Sequence, residues 1–361
     1  VGRVFGSRRS ALRALVTGAG IDALLVTDLV NICYLTGFTG SNAALLVHVD
    51  GEQASRFCTD GRYSSGARVV ELETVIDRAS ALALASEVRG WGVRRLGFES
   101  DVVTVDAHSA LVGAAEGVTL HRTPGLVQLL RLVKDDGEVA ALRAACDAAD
   151  AALADLFAAG GLAAGRSERA VALDLEARMR HHGAVGPSFE TIVASGAHSA
   201  VPHHRPTDAV LRRGDLVKMD FGALVDGYHS DMTRTVVLGP AAGWQRETYE
   251  LVAAAQRAGC AALAPGAGVV EVDATARAVV EEAGRGDEFV HGLGHGVGLQ
   301  IHEAPWIGRT GTGKLAAGMA VTVEPGVYVE GRGGVRIEDT LVVRVGGPEL
   351  LTRTTKDLVE V

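Results

Sequence analysis

Apolar and polar positions fall into two rhythms along this chain, and the change between them divides it. From Ser7 to about Gly125, short apolar runs at Ala23 to Val26, Ala43 to Val49 and Leu96 to Phe98 alternate with helical patterns near Ser10 to Gly18 and Arg78 to Arg89. That alternation predicts an α/β domain over residues 1–125. Between Leu126 and Gly160 the sequence becomes alanine-rich with a period of 3.6, and Leu142, Cys146, Ala149, Leu153 and Leu156 form one stripe. A single long helix is predicted there, opening a second domain over residues 126–361. Within that domain a helix is expected to start at Ser167 and Glu168 and stop at Gly183. Others are expected from about Trp244 to Leu263 and from about Val272 to Ala283, alternating with β-hairpins.

The first hairpin carries Asp220 and Asp231 on either side of a turn signal at Asp226 and Gly227. Antiparallel pairing puts both carboxylates on one face, and in direct register their β-carbons stand about 5 Å apart. Two carboxylates that close repel unless positive charge lies between them. A second pair repeats the arrangement, with Glu324 and Glu338 placed symmetrically about Gly331. Acids on half-exposed strands commonly face water, so either pair alone decides little. The stretch HGLGHGVGLQIHE changes that balance, because it packs His291, His295 and His302 among four glycines that permit close backbone approach and positive φ.

Composition narrows the function classes. The chain has 361 residues, 47% apolar and 22% charged, with a net charge of −9, as expected for a globular protein with no footprint for a nucleic acid or an anionic membrane. No apolar run approaches the roughly 18 residues of a spanning helix. The four cysteines are scattered without Cys-x-x-Cys spacing, which favours a reducing, cytoplasmic location. Gly308 to Leu315 imitates a phosphate-binding loop but places Leu315 where a hydroxyl is required, and it is read as a surface loop. Neither an HExxH helix nor a GxSxG elbow is present.

The segments DFGALVDGYHSDMTRT, HGLGHGVGLQIHE, TVEPGVY and GVRIEDT, with LTGFTGSNAALLV and TDGRY upstream, resemble the pita-bread metallopeptidases, the family of aminopeptidase P, prolidase and methionine aminopeptidase. The resemblance implies an α/β amino-terminal domain like that of creatinase and prolidase, followed by an α+β pita-bread catalytic domain. It implies a dinuclear site in which Asp231 and Glu338 bridge two metals, Asp220 holds one, and His295 with Glu324 holds the other. So oxygen-rich a set suits Mn²⁺, with Co²⁺ or Zn²⁺ as alternatives. A water shared by two such ions is the implied nucleophile, with Glu324 shuttling its proton. His203 and His302 resemble the histidines that hold the substrate carbonyl, and His291 and Arg336 resemble groups that position substrate and carboxylates. His204 reads as a bystander facing away from His203, and His229 as lining the entrance. A homodimer is also implied.

Four readings follow. An intact ligand set argues against creatinase and against a non-catalytic binding module. Between proline-specific enzymes, some prolidases carry an Arg after the HE-x-P segment, where this chain has Trp306. That departure favours an Xaa-Pro aminopeptidase, with an Xaa-Pro dipeptidase as the alternative in which Arg309 or another subunit supplies the charge.

Overall fold

The computed structural model describes residues 2–361. The chain divides into two compact units, one ending at Arg131 and the other starting at Leu132. The first is built on a six-stranded mixed sheet in the spatial order Glu73–Ile76, Arg56–Thr59, Ala43–His48, Ala23–Val26, Arg95–Phe98, Thr119–Arg122. Ala23–Val26 is buried along its whole length, which explains why it reads as a continuous apolar run rather than an alternating one. The helix Leu29–Thr36 starts where the Asp28 carboxylate accepts from the amides of Val30 and Asn31.

The long helix expected from Leu126 is two helices. Leu126–Arg131 belongs to the first unit, and Asp136–Ala158 opens the second. The break has a local cause: Asp135 caps the Glu138 amide while the Glu138 side chain accepts from the Asp135 amide, a reciprocal box that fixes a new helix start. The stripe from Leu142 to Leu156 is buried as its period demands. It packs with the helix Glu168–His181, whose first turn is capped by Ser167.

The strands of the second unit form four sheets. Leu216–Phe221 lies between Ile192–Ser195 and Met232–Val237, and Ala223–Val225 lies between Tyr228–His229 and Gly186–Pro187. A five-stranded sheet runs Glu303–Ile307, Gly294–Gly296, Ala320–Val323, Asp339–Val342, Glu349–Leu350. Gly326–Val329 pairs only with Gly333–Arg336. The helices Gly243–Ala262 and Val269–Glu282 cover one apolar core and Asp136–Ala158 with Glu168–His181 another, so the strands between them are held from both sides.

Candidate metal centre

The two hairpins deliver their acids in different ways. In the first, Asp226 and Gly227 both adopt positive φ at the turn, and the ladder sets Phe221 opposite Met232 and Asp220 opposite Thr233. The turn therefore falls one residue later than a direct Asp220–Asp231 register requires. Because the shift moves the opposing residue by two, Asp231 stays on the same face, diagonal to Asp220.

In the second hairpin, Val323 opposes Asp339 in one ladder and Gly326 opposes Arg336 in the next, so Glu324 and Glu338 face each other where the chain crosses between two sheets. At that crossing their amides turn away from each other: Glu324 donates to the Leu293 carbonyl at 2.8 Å and Glu338 to the Thr233 carbonyl at 3.1 Å. The backbone is thus satisfied by neighbouring strands, and both side chains are free to point inward.

His295 comes from the strand Gly294–Gly296, where side chains cannot be accommodated on either neighbour. A Cβ on Gly294 would lie 2.0 Å from the Thr322 carbonyl oxygen, and one on Gly296 would lie 2.1 Å from that of Ala304. Neither glycine has positive φ; close approach alone accounts for them. The His295 Nδ1 bonds the Gly296 carbonyl at 3.0 Å. A carbonyl only accepts, so Nδ1 carries the proton and Nε2 presents its lone pair, 3.5 Å from both Asp231 and Glu324.

Asp220, Asp231, His295, Glu324 and Glu338 all line one cavity of about 300 Å³, together with His203 and His302. Ligand atoms of Asp231, His295 and Glu338 lie within 4.8 Å of one another. Burial drives the Asp231 carboxyl well above the ordinary range, and Glu338, Asp220 and Glu324 push it further. Glu338 is raised by burial and by Glu324 and Asp220. Glu324 is pushed up to about 8 by burial, against the opposing pull of Arg336. The His295 ring falls to about 4, chiefly through burial, and is neutral at pH 7. A lone pair facing carboxylates, in a site where protein groups alone disfavour ionisation, is stabilised by cations placed among them. The buried Asp220 Oδ1 has no hydrogen-bond partner, so an acceptor aimed at that space is left for an ion. The donor set fits a metal centre.

The supporting groups are less visible in sequence. The Thr233 hydroxyl donates to Glu338 at 2.7 Å and accepts from Arg336 Nε at 3.0 Å. The Thr322 hydroxyl accepts from the His295 amide at 3.1 Å and contacts Glu324 at 3.4 Å. Arg336 is fully buried behind Asp220, which it pairs through Nη2, and bonds the Tyr328 hydroxyl at 2.9 Å; it does not line the cavity. His291 bonds the same hydroxyl at 2.8 Å and opens onto a different cavity, beside Arg309. His291, Tyr328 and Arg336 thus form a chain of hydrogen bonds that ends on Asp220, which matches the carboxylate-positioning part of the role the resemblance implies for them. Arg309 pairs with Glu281 and does not line the cavity of the five ligand candidates. His229, expected at the entrance, bonds Ser188 instead and is not part of that lining.

His204 is no bystander. It lines the cavity and bonds Glu168, a carboxylate with no exposure, at 2.9 Å. Glu168 also accepts from His198 at 2.9 Å, from the amide and hydroxyl of Ser195, and from the amide and hydroxyl of Thr207. Burial alone would raise its carboxyl, but these donors outweigh burial and hold it down at about 2. Nothing in the sequence marks Glu168 beyond its place at a helix start. The loop Gly308 to Leu315 is mostly exposed and is followed by no helix, as its failed motif suggested.

A cavity of converging carboxylates with a neutral imidazole, at the crossing of strands in a pita-bread unit that follows a mixed α/β unit, defines a metallopeptidase. The chain belongs to metallopeptidase family M24, whose model matches residues 140–344, and residues 8–133 match the creatinase/prolidase N-terminal domain. The Xaa-Pro dipeptidase of Pyrococcus furiosus is 35% identical over 94% of this chain and 95% of its own length. Among solved structures, the Xaa-Pro dipeptidase from Bacillus anthracis is 38% identical with a TM-score of 0.94, covering 98% of this chain and 99% of its own. The X-Pro aminopeptidase from Thermotoga maritima is 31% identical with a TM-score of 0.88, over 98% of this chain and 99% of its own. Among the described residues, no helix is long and apolar enough to cross a membrane.

Proposed function

We propose that this chain is an Xaa-Pro dipeptidase that binds two divalent cations, most suitably Mn²⁺, through Asp220, Asp231, His295, Glu324 and Glu338. The observation that carries the dipeptide reading is the likeness, over nearly the whole chain, to the dipeptidases of Bacillus anthracis and Pyrococcus furiosus. It reverses the preference for an aminopeptidase that Trp306 suggested. A cavity of about 300 Å³ lies at the small end of ligand sites and suits a short substrate. The likeness to the Thermotoga maritima enzyme supports the second reading, release of one residue from longer peptides beginning Xaa-Pro.

Bound among these oxygens, two divalent cations supply Lewis acidity, which polarises the scissile carbonyl and acidifies water. The protein's own groups do the rest. Glu324 receives the proton of the attacking water and passes it to the proline nitrogen, which has no hydrogen of its own and must gain one to leave. His302, with its pKa lowered mainly by burial, and His203 beside it on the lining donate to the carbonyl oxygen where negative charge builds. The His302 and His295 ring centroids are 4.5 Å apart, which keeps the oxyanion donor beside the ligand set.

Reconstituted with Mn²⁺, the protein should cleave an Xaa-Pro dipeptide faster than an Xaa-Pro-Xaa tripeptide and leave a proline-free control intact. Cleavage confined to the tripeptide would return the aminopeptidase reading. A homodimer and a cytoplasmic location belong to the same proposal, and sedimentation and cell fractionation test them.

A further inference from the structure

A small peptide presents its carboxylate to a cavity that is already rich in acids. Besides the four candidate ligand acids the lining includes Glu190, and among the described residues its only guanidinium or ammonium is Arg205. Arg205 Nε pairs with Glu190 at 3.0 Å, and both side chains are largely exposed, 83% and 63%. Such a pair is worth little in water, on the order of 0–1 kcal/mol, and exchanges partners readily.

The backbone beneath Arg205 is anchored although its side chain is exposed. The preceding residue, His204, bonds Glu168 at 2.9 Å, and Thr207 donates to the same carboxylate through its amide at 3.0 Å and its hydroxyl at 2.7 Å. Pro206 holds Arg205 in extended backbone. One fully buried carboxylate thus anchors the arm on both sides of Arg205, which keeps that residue on the lining that also carries His203.

We propose that Arg205 recognises the free C-terminal carboxylate of a short peptide, exchanging Glu190 for it. The inference rests on the dipeptidase reading and assigns the residue that limits substrate length. In an Xaa-Pro dipeptide that carboxylate sits on the carbon attached to the leaving nitrogen, so the contact persists from ground state to transition state and is read in kcat/KM of the acid against its amide.

The test compares alanyl-proline with its C-terminal amide on the Mn²⁺-loaded enzyme. In Arg205→Gln the acid-to-amide ratio of kcat/KM should fall about threefold to fivefold, the scale of an exposed ion pair; fivefold corresponds to about 1 kcal/mol. Glu190→Gln removes the competing partner and should raise the ratio about twofold to threefold. Exposure of both side chains predicts unchanged melting temperatures, which separates recognition from folding. A ratio unchanged in Arg205→Gln, or a lower ratio in Glu190→Gln, would overturn the inference alone. A wild-type enzyme that leaves alanyl-proline intact while cleaving alanyl-prolyl-alanine would overturn the dipeptidase reading and, with it, this role for Arg205.

Discussion

Replacing Glu168 with Gln tests how much one buried carboxylate does for the arm that carries His203 and Arg205. The charge accepts bonds from Ser195, His198, His204 and Thr207, which hold its carboxyl at about 2, against 4.5 for an unperturbed glutamate. Each pKa unit is about 1.36 kcal/mol, so the native environment favours the charged form by roughly 3 kcal/mol at pH 7. An amide in its place offers one acceptor oxygen and turns an NH₂ toward donors, so Glu168→Gln should lose about that amount. For a unit of this size that is a fall of about 6–12 °C in Tm. The sign fixes the pH dependence. A depressed carboxylate stabilises above its unfolded pKa, and the contribution disappears as pH falls through the folded value, so the gap between wild type and variant should shrink by about half near pH 3. Calorimetry of both proteins from pH 7 to pH 3 measures it. A variant that melts within about 2 °C of wild type at pH 7, or a gap that stays constant with pH, would refute the reasoning.

Three further perturbations separate structure from chemistry. His302→Ala should keep its metal content while kcat falls by about 100-fold or more, as loss of an oxyanion donor does; steady-state kinetics with metal analysis checks both. Gly296→Ala puts a Cβ against the Ala304 carbonyl and should destabilise the second unit by roughly 2–4 kcal/mol, read from denaturant midpoints. Tyr328→Phe removes the hydroxyl shared by His291 and Arg336 and should cost about 1–2 kcal/mol in stability, without shifting the acid-to-amide ratio that reports on Arg205.

Local patterns carried most of the fold. The strand Ala23–Val26, the stripe from Leu142 to Leu156 and the helix after Ser167 follow from period and capping, because neighbours in sequence decide them. The break before Asp136 was legible too, in the pairing of Asp135 with Glu138, but helical periodicity on either side hid it. The second hairpin's symmetry about Gly331 gave the opposition of Glu324 and Glu338, whereas the first turn lies one residue beyond its symmetric place. What pattern cannot supply is long-range direction. Arg336 turns behind Asp220 and His291 toward Tyr328 because of packing between strands far apart in sequence. The donors to Glu168 come from residues 27 to 39 positions away, each ordinary by itself.

The central claim is that five side chains, from two strands, the start of a third and one strand crossing, hold two divalent cations. Metal analysis of the purified, Mn²⁺-reconstituted chain beside Asp231→Ala and Glu338→Ala tests it most directly. The account predicts about two ions per wild-type chain, removable by chelator together with activity, and a large loss of both ions in either variant. A wild-type chain that binds no metal at saturating Mn²⁺, or a bridging-acid variant that keeps two ions and near-normal turnover, would contradict it.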